Sequence, residues 1–143
     1  VRQEKLLDET DWDLLIILDA CRYDYFEKIY PEYLEGELKK AVSPASNTME
    51  WCQKVVKTGI FEDDVIVSAN PHINSRMPVG EREFEATNYF KEIHDAWLWA
   101  WDEENKTVQP DEVTKRSLDI LDSCSDRSII WYVQPHAPYI TRP

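Results

Sequence analysis

The sequence predicts an α/β domain whose mostly parallel sheet is covered by helices on both faces, and three observations carry that prediction. Residues 14–18, 65–67 and 129–133 are short, continuous apolar runs of the kind that fill strands buried on both sides. Strand-like and helix-like segments alternate along the chain, which makes a helix-covered parallel sheet the economical architecture. A hydrophobic content of 43% with six Trp and seven Tyr supports a packed interior. At 143 residues the size suits one domain, long enough to bury about two thirds of its unfolded surface.

The elements follow in order. The stretch to Asp13 is polar and mixed in charge, with Trp12 packing where the chain enters the sheet. Residues 14–18 form the first strand, expected to be buried on both faces, and leave Asp19 at its carboxyl end, the edge where open α/β sheets place ligands. Tyr23, Phe26 and Ile29 or Tyr30 then recur at helical spacing, and Pro31 closes that helix. A weaker extended segment at 38–42 delivers Ser43-Pro44-Ala45-Ser46-Asn47-Thr48-Met49-Glu50. Asn47 with Glu50 three positions on resembles a capping box, so a helix starts there and runs through Trp51, Val55 and Val56 to a stop at Gly59.

Val65-Ile66-Val67 makes a further strand, ending at Ala69-Asn70-Pro71. Periodicity fades over 72–92, read as a long excursion with one short helix near 89–93. Trp97, Trp99 and Trp101 alternate with Leu98 and Ala100, which fits a short strand with an indole face. Pro110 followed by Asp111 and Glu112 opens a helix through Val113, Leu118, Leu121 and Cys124. Residues 128–133 give a fourth strand that runs into Gln134-Pro135-His136-Ala137-Pro138-Tyr139. There is no internal repeat and no low-complexity tract.

Bulk charge narrows the partners. A net charge of -12 with no basic stripe argues against a nucleic-acid binder. Cys21, Cys52 and Cys124 are odd in number and lack a Cys-x-x-Cys pair, so neither a disulfide framework nor a zinc knuckle follows and a reducing, cytoplasmic compartment is expected. No stretch reaches the roughly 18 apolar residues of a membrane span. Gly36, Gly59 and Gly80 are the three glycines, and they form no Gly-x-Gly-x-x-Gly or Walker loop, which disfavours a nucleotide-binding domain.

An Asp, a hydroxyl and a His therefore follow three predicted strand or loop ends: Asp19, Thr48 (with Ser43 and Ser46 as neighbours) and His136. Parallel strands would bring them to one edge. A carboxylate is a hard ligand for a divalent cation, and a hydroxyl touching that cation gives up its proton more readily and becomes a nucleophile. Thr48 also falls in the first turn of its predicted helix, where backbone N–H groups favour an anion.

The chain resembles the alkaline phosphatase and sulfatase superfamily in Leu-Asp-Ala-Cys-Arg-Tyr-Asp at 18–24, Ser-Pro-Ala-Ser-Asn-Thr-Met-Glu at 43–50 and Pro-His-Ala-Pro-Tyr at 135–139. The order and spacing look like the opening metal Asp, the nucleophile-bearing turn and the downstream His motif of sulfatase-like hydrolases. The resemblance implies an alkaline phosphatase-like sandwich and a metal-dependent hydrolase or transferase of phosphate or sulfate esters. It implies Asp19 as a metal ligand, Thr48 as nucleophile and metal contact, and His136 as a substrate or metal contact. The implied cofactor is a divalent metal, with zinc, manganese, calcium and magnesium all compatible. The implied partner is a small anionic ester.

Departures from the family pattern are informative. Ala20 stands where sulfatases often carry a second Asp, and there is no Cys/Ser-x-Pro-x-Arg sequence for formylglycine, so Thr48 points to phosphatase, phosphodiesterase or phosphotransferase relatives. Relatives also take an Asp-His metal pair from beyond the His motif. The expectation is therefore the N-terminal part of a longer enzyme or a shortened homologue, with a noncatalytic binding or assembly module as the alternative.

Each candidate also has a plainer role. Asp19 could cap the following helix, Ser46 could replace Thr48, and His136 could be scaffolding between prolines. Arg22 and Asp24 are expected to pair with each other or with the sheet edge. Asn70 and His72 could border the same pocket, but are read instead as a turn stabilised by Asn and Pro. The indole series is read as core, or as a face covered by a C-terminal portion or by self-association, with stacking on a sugar or base as its rival.

Overall fold

The computed structural model describes residues 1–140. Its centre is a four-stranded, all-parallel sheet made of β1 (Leu14–Leu18), β2 (Val65–Ser68), β3 (Glu92–Asp95) and β6 (Ser128–Tyr132) in the spatial order β1-β6-β2-β3. A two-stranded antiparallel ribbon, β4 (Trp101–Asp102) with β5 (Thr107–Val108), lies apart from it. The helices are α1 (Gln3–Glu9), α2 (Tyr23–Ile29), α3 (Thr48–Lys54), α4 (Ala96–Trp99) and α5 (Pro110–Asp122). The α/β class and the parallel sheet are as the apolar runs predicted.

Side-chain alternation divides the core into two layers. Leu15 and Ile17 of β1, Ile66 of β2 and Ile129 and Trp131 of β6 face α3 and the turn after it, packing on Cys52, Val55, Val56 and Phe61. Val67 and Ile130 face the other way, onto Ala96, Ala100, Val108 and Val113 of α4, the ribbon and α5. An ion pair closes the amino edge. Arg127 donates to both oxygens of the buried Asp64 at 2.8 and 2.9 Å and to Ile60 O at 2.8 Å, with its guanidinium 3.9 Å from the Trp12 ring centre. Trp12 thus packs at the sheet's approach, as its position before β1 suggested.

Several expectations are corrected. The first strand has one bare face: Leu14, Ile16 and Leu18 are 47%, 53% and 38% exposed because no helix of the described residues covers that side, and β1 is also an edge strand, paired with β6 alone. The polar N-terminus forms α1, tied to α3 by Trp51 Nε1 donating to Gln3 Oε1 at 2.7 Å. The segment at 38–42 is not a strand and makes only an isolated bridge between Val42 and Arg2. Residues 92–95, read partly as helix, are β3; its Glu and His had hidden it from an apolar search.

The tryptophan series is not a strand. Residues 96–99 wind into α4, and only Trp101 is extended. The α3 helix stops at Lys54 and passes into a 3-10 turn before Gly59, whose φ of 85° is the left-handed stop expected of glycine. On α5, Pro110 opens the helix and Val113 is buried as predicted, whereas Leu118 is 67% exposed. No helix among the described residues is long and apolar enough to cross a membrane.

Candidate functional site

The carboxyl ends of β1, β2 and β6 converge on a cleft of about 540 Å³, within the usual size range of small-molecule sites. Asp19, Thr48 and His136 all line it, together with Asn70 and His72. Asp19 directly follows β1, and its backbone N–H still donates to Tyr132 O at 3.2 Å, so the ladder with β6 holds the residue at the sheet's rim. Ala20, next in line, has a φ of 56°, a left-handed conformation that costs a non-glycine residue about 1 kcal/mol and turns the chain away from the strand direction.

The Asp19 carboxylate is half-buried and engaged. Asn70 Nδ2 donates to Asp19 Oδ2 at 3.0 Å. Burial pushes its carboxyl above the ordinary aspartate range, opposed by the nearby His136, the Ala20 N–H, Asn70 and His72. Those four groups favour the ionised form without fully offsetting desolvation. The same carboxylate and the surrounding core push the Cys52 thiol up to about 12, burial being the larger cause.

Asn70 is the hub of this rim. Its backbone N–H is met by Ser68 Oγ at 3.2 Å, while Ser68 Oγ donates to Asn70 O at 2.8 Å, so a buried side chain of β2 sets the turn. Because Nδ2 donates to Asp19, Oδ1 is the acceptor, and it takes both His72 N–H and His72 Nδ1 at 2.9 Å. His72 Nδ1 is therefore the donor of that contact. His136 Nδ1 donates to Ala137 O at 2.6 Å, since a carbonyl can only accept. Asn70 and His72, expected as a turn, are that turn and also belong to the cleft.

Thr48 is the first residue of α3. Asn47 caps the helix through Oδ1, accepting Glu50 N–H at 2.9 Å, and Glu50 Oε2 reaches back to Ser46 N–H at 3.1 Å. This is the predicted box with its return bond moved one residue outward. The Thr48 hydroxyl makes no hydrogen bond to a described residue, and its helix is seven residues long, so the case for Thr48 rests on its place in the cleft rather than on a helix dipole. Ser43 and Ser46 lie outside the lining; Ser43 Oγ donates to Ala45 O at 2.9 Å and Ser46 Oγ to Glu50 Oε2 at 3.4 Å.

Other polar side chains sort by their partners. Arg22 and Asp24 bond each other at 3.0 and 2.7 Å on the surface, and Arg22 lowers the Asp24 carboxyl. His94 turns to Glu92 at 2.8 Å, whereas Asp95 accepts from Ser75 N at 2.9 Å and Trp97 Nε1 at 3.0 Å. Among the described residues no three His, Cys, Asp or Glu side chains stand together as a metal-binding group.

The sequence reading undervalued the side of the cleft made by α4 and the ribbon. Trp97, Leu98, Trp101, Lys106, Thr107 and Val108 line it, and the alternating Trp pattern was the one available signal. Trp99 turns away, beneath the Arg116 guanidinium 4.9 Å from its ring centre. No protein-family model, no curated protein and no solved structure matches the chain.

Proposed function

We propose that this chain carries the nucleophile-bearing part of a metal-dependent hydrolase or transferase of phosphate or sulfate esters, built on an alkaline phosphatase-like sandwich. The observation that carries the reading is that Asp19, Thr48 and His136, remote in sequence, line one cleft at the carboxyl edge of the sheet. The three motifs resembling the sulfatase-like hydrolases contain these same residues.

In this reading the Thr48 hydroxyl gives up its proton to solvent, its oxygen attacks phosphorus or sulfur in line and forms a covalent Thr48 ester, and the bond to the leaving-group oxygen breaks with that oxygen carrying off the electron pair. His136 protonates the departing oxygen. Water or an acceptor hydroxyl then attacks the Thr48 ester and loses its proton, the bond to the Thr48 oxygen breaks, and that oxygen is reprotonated as the phosphate, sulfate or transferred ester leaves. Asn70 holds the Asp19 carboxylate in place and His72 borders the incoming anion. A divalent cation on Asp19 and Thr48 would supply charge neutralisation and a more acidic hydroxyl. Asp19 being harder to ionise than an ordinary aspartate supports such a role, since a cation would relieve the cost of its buried charge.

Two measurements test the reading. Calorimetric titration with magnesium, manganese, calcium and zinc should show binding that Asp19→Ala weakens at least tenfold. Incubation with a phosphate ester should add mass to the peptide bearing Thr48, and Thr48→Val should abolish that adduct. The lack of a three-ligand group among the described residues favours a second reading, a noncatalytic binding module that retains the fold. Absence of both metal binding and the Thr48 adduct would establish it.

A further inference from the structure

The cleft has two unlike halves. One holds Asp19, Thr48, Asn70, His72 and His136; the other is walled by Trp97, Leu98, Trp101, Val108, Val133 and Pro138. A tetrahedral oxyanion fills a volume on the order of a few water molecules at about 30 Å³ each, a small part of about 540 Å³. The remainder must accommodate the organic group of the ester.

The polar atoms of the second half are already committed. Trp97 Nε1 donates to Asp95 Oδ1 at 3.0 Å and Trp101 Nε1 to Glu103 Oε2 at 2.7 Å, so both indoles are fixed by carboxylates and offer their carbon surfaces to the cleft. Lys106, the lysine of the lining, is paired with Glu103. Thr107 Oγ1 receives Gln134 Nε2 at 3.2 Å. This wall's one cation, Lys106, is paired with Glu103, and the wall lacks the array of donors and acceptors that a sugar's hydroxyls require.

We propose that α4 and the β4–β5 ribbon form an aromatic subsite, so that the ester this cleft takes carries a flat, uncharged aromatic group packed against Trp97 and Trp101. The proposal rests on the reading of Asp19, Thr48 and His136 as the anion-binding end. Offset or edge-on contact with an indole contributes up to about tenfold in affinity beyond simple burial. Trp101 is the better handle of the two, being 48% exposed and outside the buried core, so its truncation spares the packing of α4.

Three probes separate the two ends in calorimetric titrations of the full chain with magnesium present: inorganic phosphate for the anion end, 2-naphthol for the aromatic end, and 2-naphthyl phosphate for both. The naphthyl phosphate should bind at least tenfold tighter than phosphate and than glucose 6-phosphate. Trp101→Ala should weaken 2-naphthol and 2-naphthyl phosphate about tenfold, and Trp101→Phe should restore most of the loss. Naphthol that does not bind, naphthyl phosphate no tighter than phosphate, or glucose 6-phosphate tighter than naphthyl phosphate would each overturn the subsite. Naphthol binding that responds to Trp101, with naphthyl phosphate no tighter than naphthol and indifferent to Asp19→Ala, would instead leave the subsite standing and remove the anion-site reading.

Discussion

Replacing Asn70 by alanine removes three hydrogen bonds at once: the donation to Asp19 Oδ2 at 3.0 Å and the two from His72 at 2.9 Å. The bond to a charged acceptor contributes about 1.5 kcal/mol, the low end because Asp19 is half-exposed, and the bonds to His72 about 0.5–1 kcal/mol each. Asn70 itself is 3% exposed and the three bonds together come to about 3 kcal/mol. In a domain of this size that lowers Tm by roughly 6–12 °C.

The loss should also depend on pH. Asn70 is one of the groups that lower the Asp19 pKa, so removing it raises that pKa further. A carboxyl whose folded pKa lies above its unfolded value destabilises the fold when ionised, and the deficit disappears as pH falls through the folded pKa toward the unfolded one. The gap between wild type and Asn70→Ala is therefore largest at pH 7 and narrows toward pH 4. Urea melts at the two pH values read it directly. A loss below about 1 kcal/mol, or one of equal size at both pH values, would refute the bonding scheme at this rim.

Two further outcomes follow from buried groups. Arg127→Met strips Asp64, 1% exposed, of its counter-charge and should cost about 3 kcal/mol in urea melts. Pairing it with Asp64→Leu should recover most of that cost, and additive losses would show that the pair is not coupled. With its thiol pushed up to about 12 and no exposed surface, Cys52 should resist alkylation at pH 8 until the chain unfolds, while the exposed Cys21 reacts in the native state; mass spectrometry of peptides distinguishes them.

The parts of this fold that were legible in advance share a cause. Ile66, Val67, Ile129 and Ile130 face packed layers on both sides, so their apolar run is an imprint of the structure. Asn47, Pro110 and Gly59 announced themselves because a cap, a first helical turn and a left-handed stop each demand particular chemistry. Glu92-Ile93-His94-Asp95 escaped because the sheet's other edge accepts polar side chains that bond locally, as His94 does to Glu92. The α4 turn escaped because a four-residue helix is too short for its period to differ clearly from alternation. At the site, Asp19 and His136 were visible as residues that follow strands, and Thr48 as the first residue after a helix cap. The role of Asn70 was not, because a turn asparagine looks alike whether its amide bonds the backbone or a carboxylate fifty-one residues away.

The strand that delivers Asp19 is held from one side. Ile17 packs into the core layer with Trp131, while Ile16, one residue earlier, points to the opposite face and is 53% exposed. An apolar run would suggest equal contributions from the two; the structure assigns them very different ones. Ile17→Ala removes packed methylenes and should cost about 2–4 kcal/mol. Ile16→Thr exchanges one β-branched residue for another on a half-wet surface and should cost less than about 0.5 kcal/mol. Because the Asp19 N–H bond to Tyr132 O continues the β1–β6 ladder, Ile17→Ala should also loosen the rim and speed amide exchange at Asp19, whereas Ile16→Thr should not. Comparable losses from the two substitutions would mean that the outer face of β1 is covered in solution, and the edge-strand account of this site would fail.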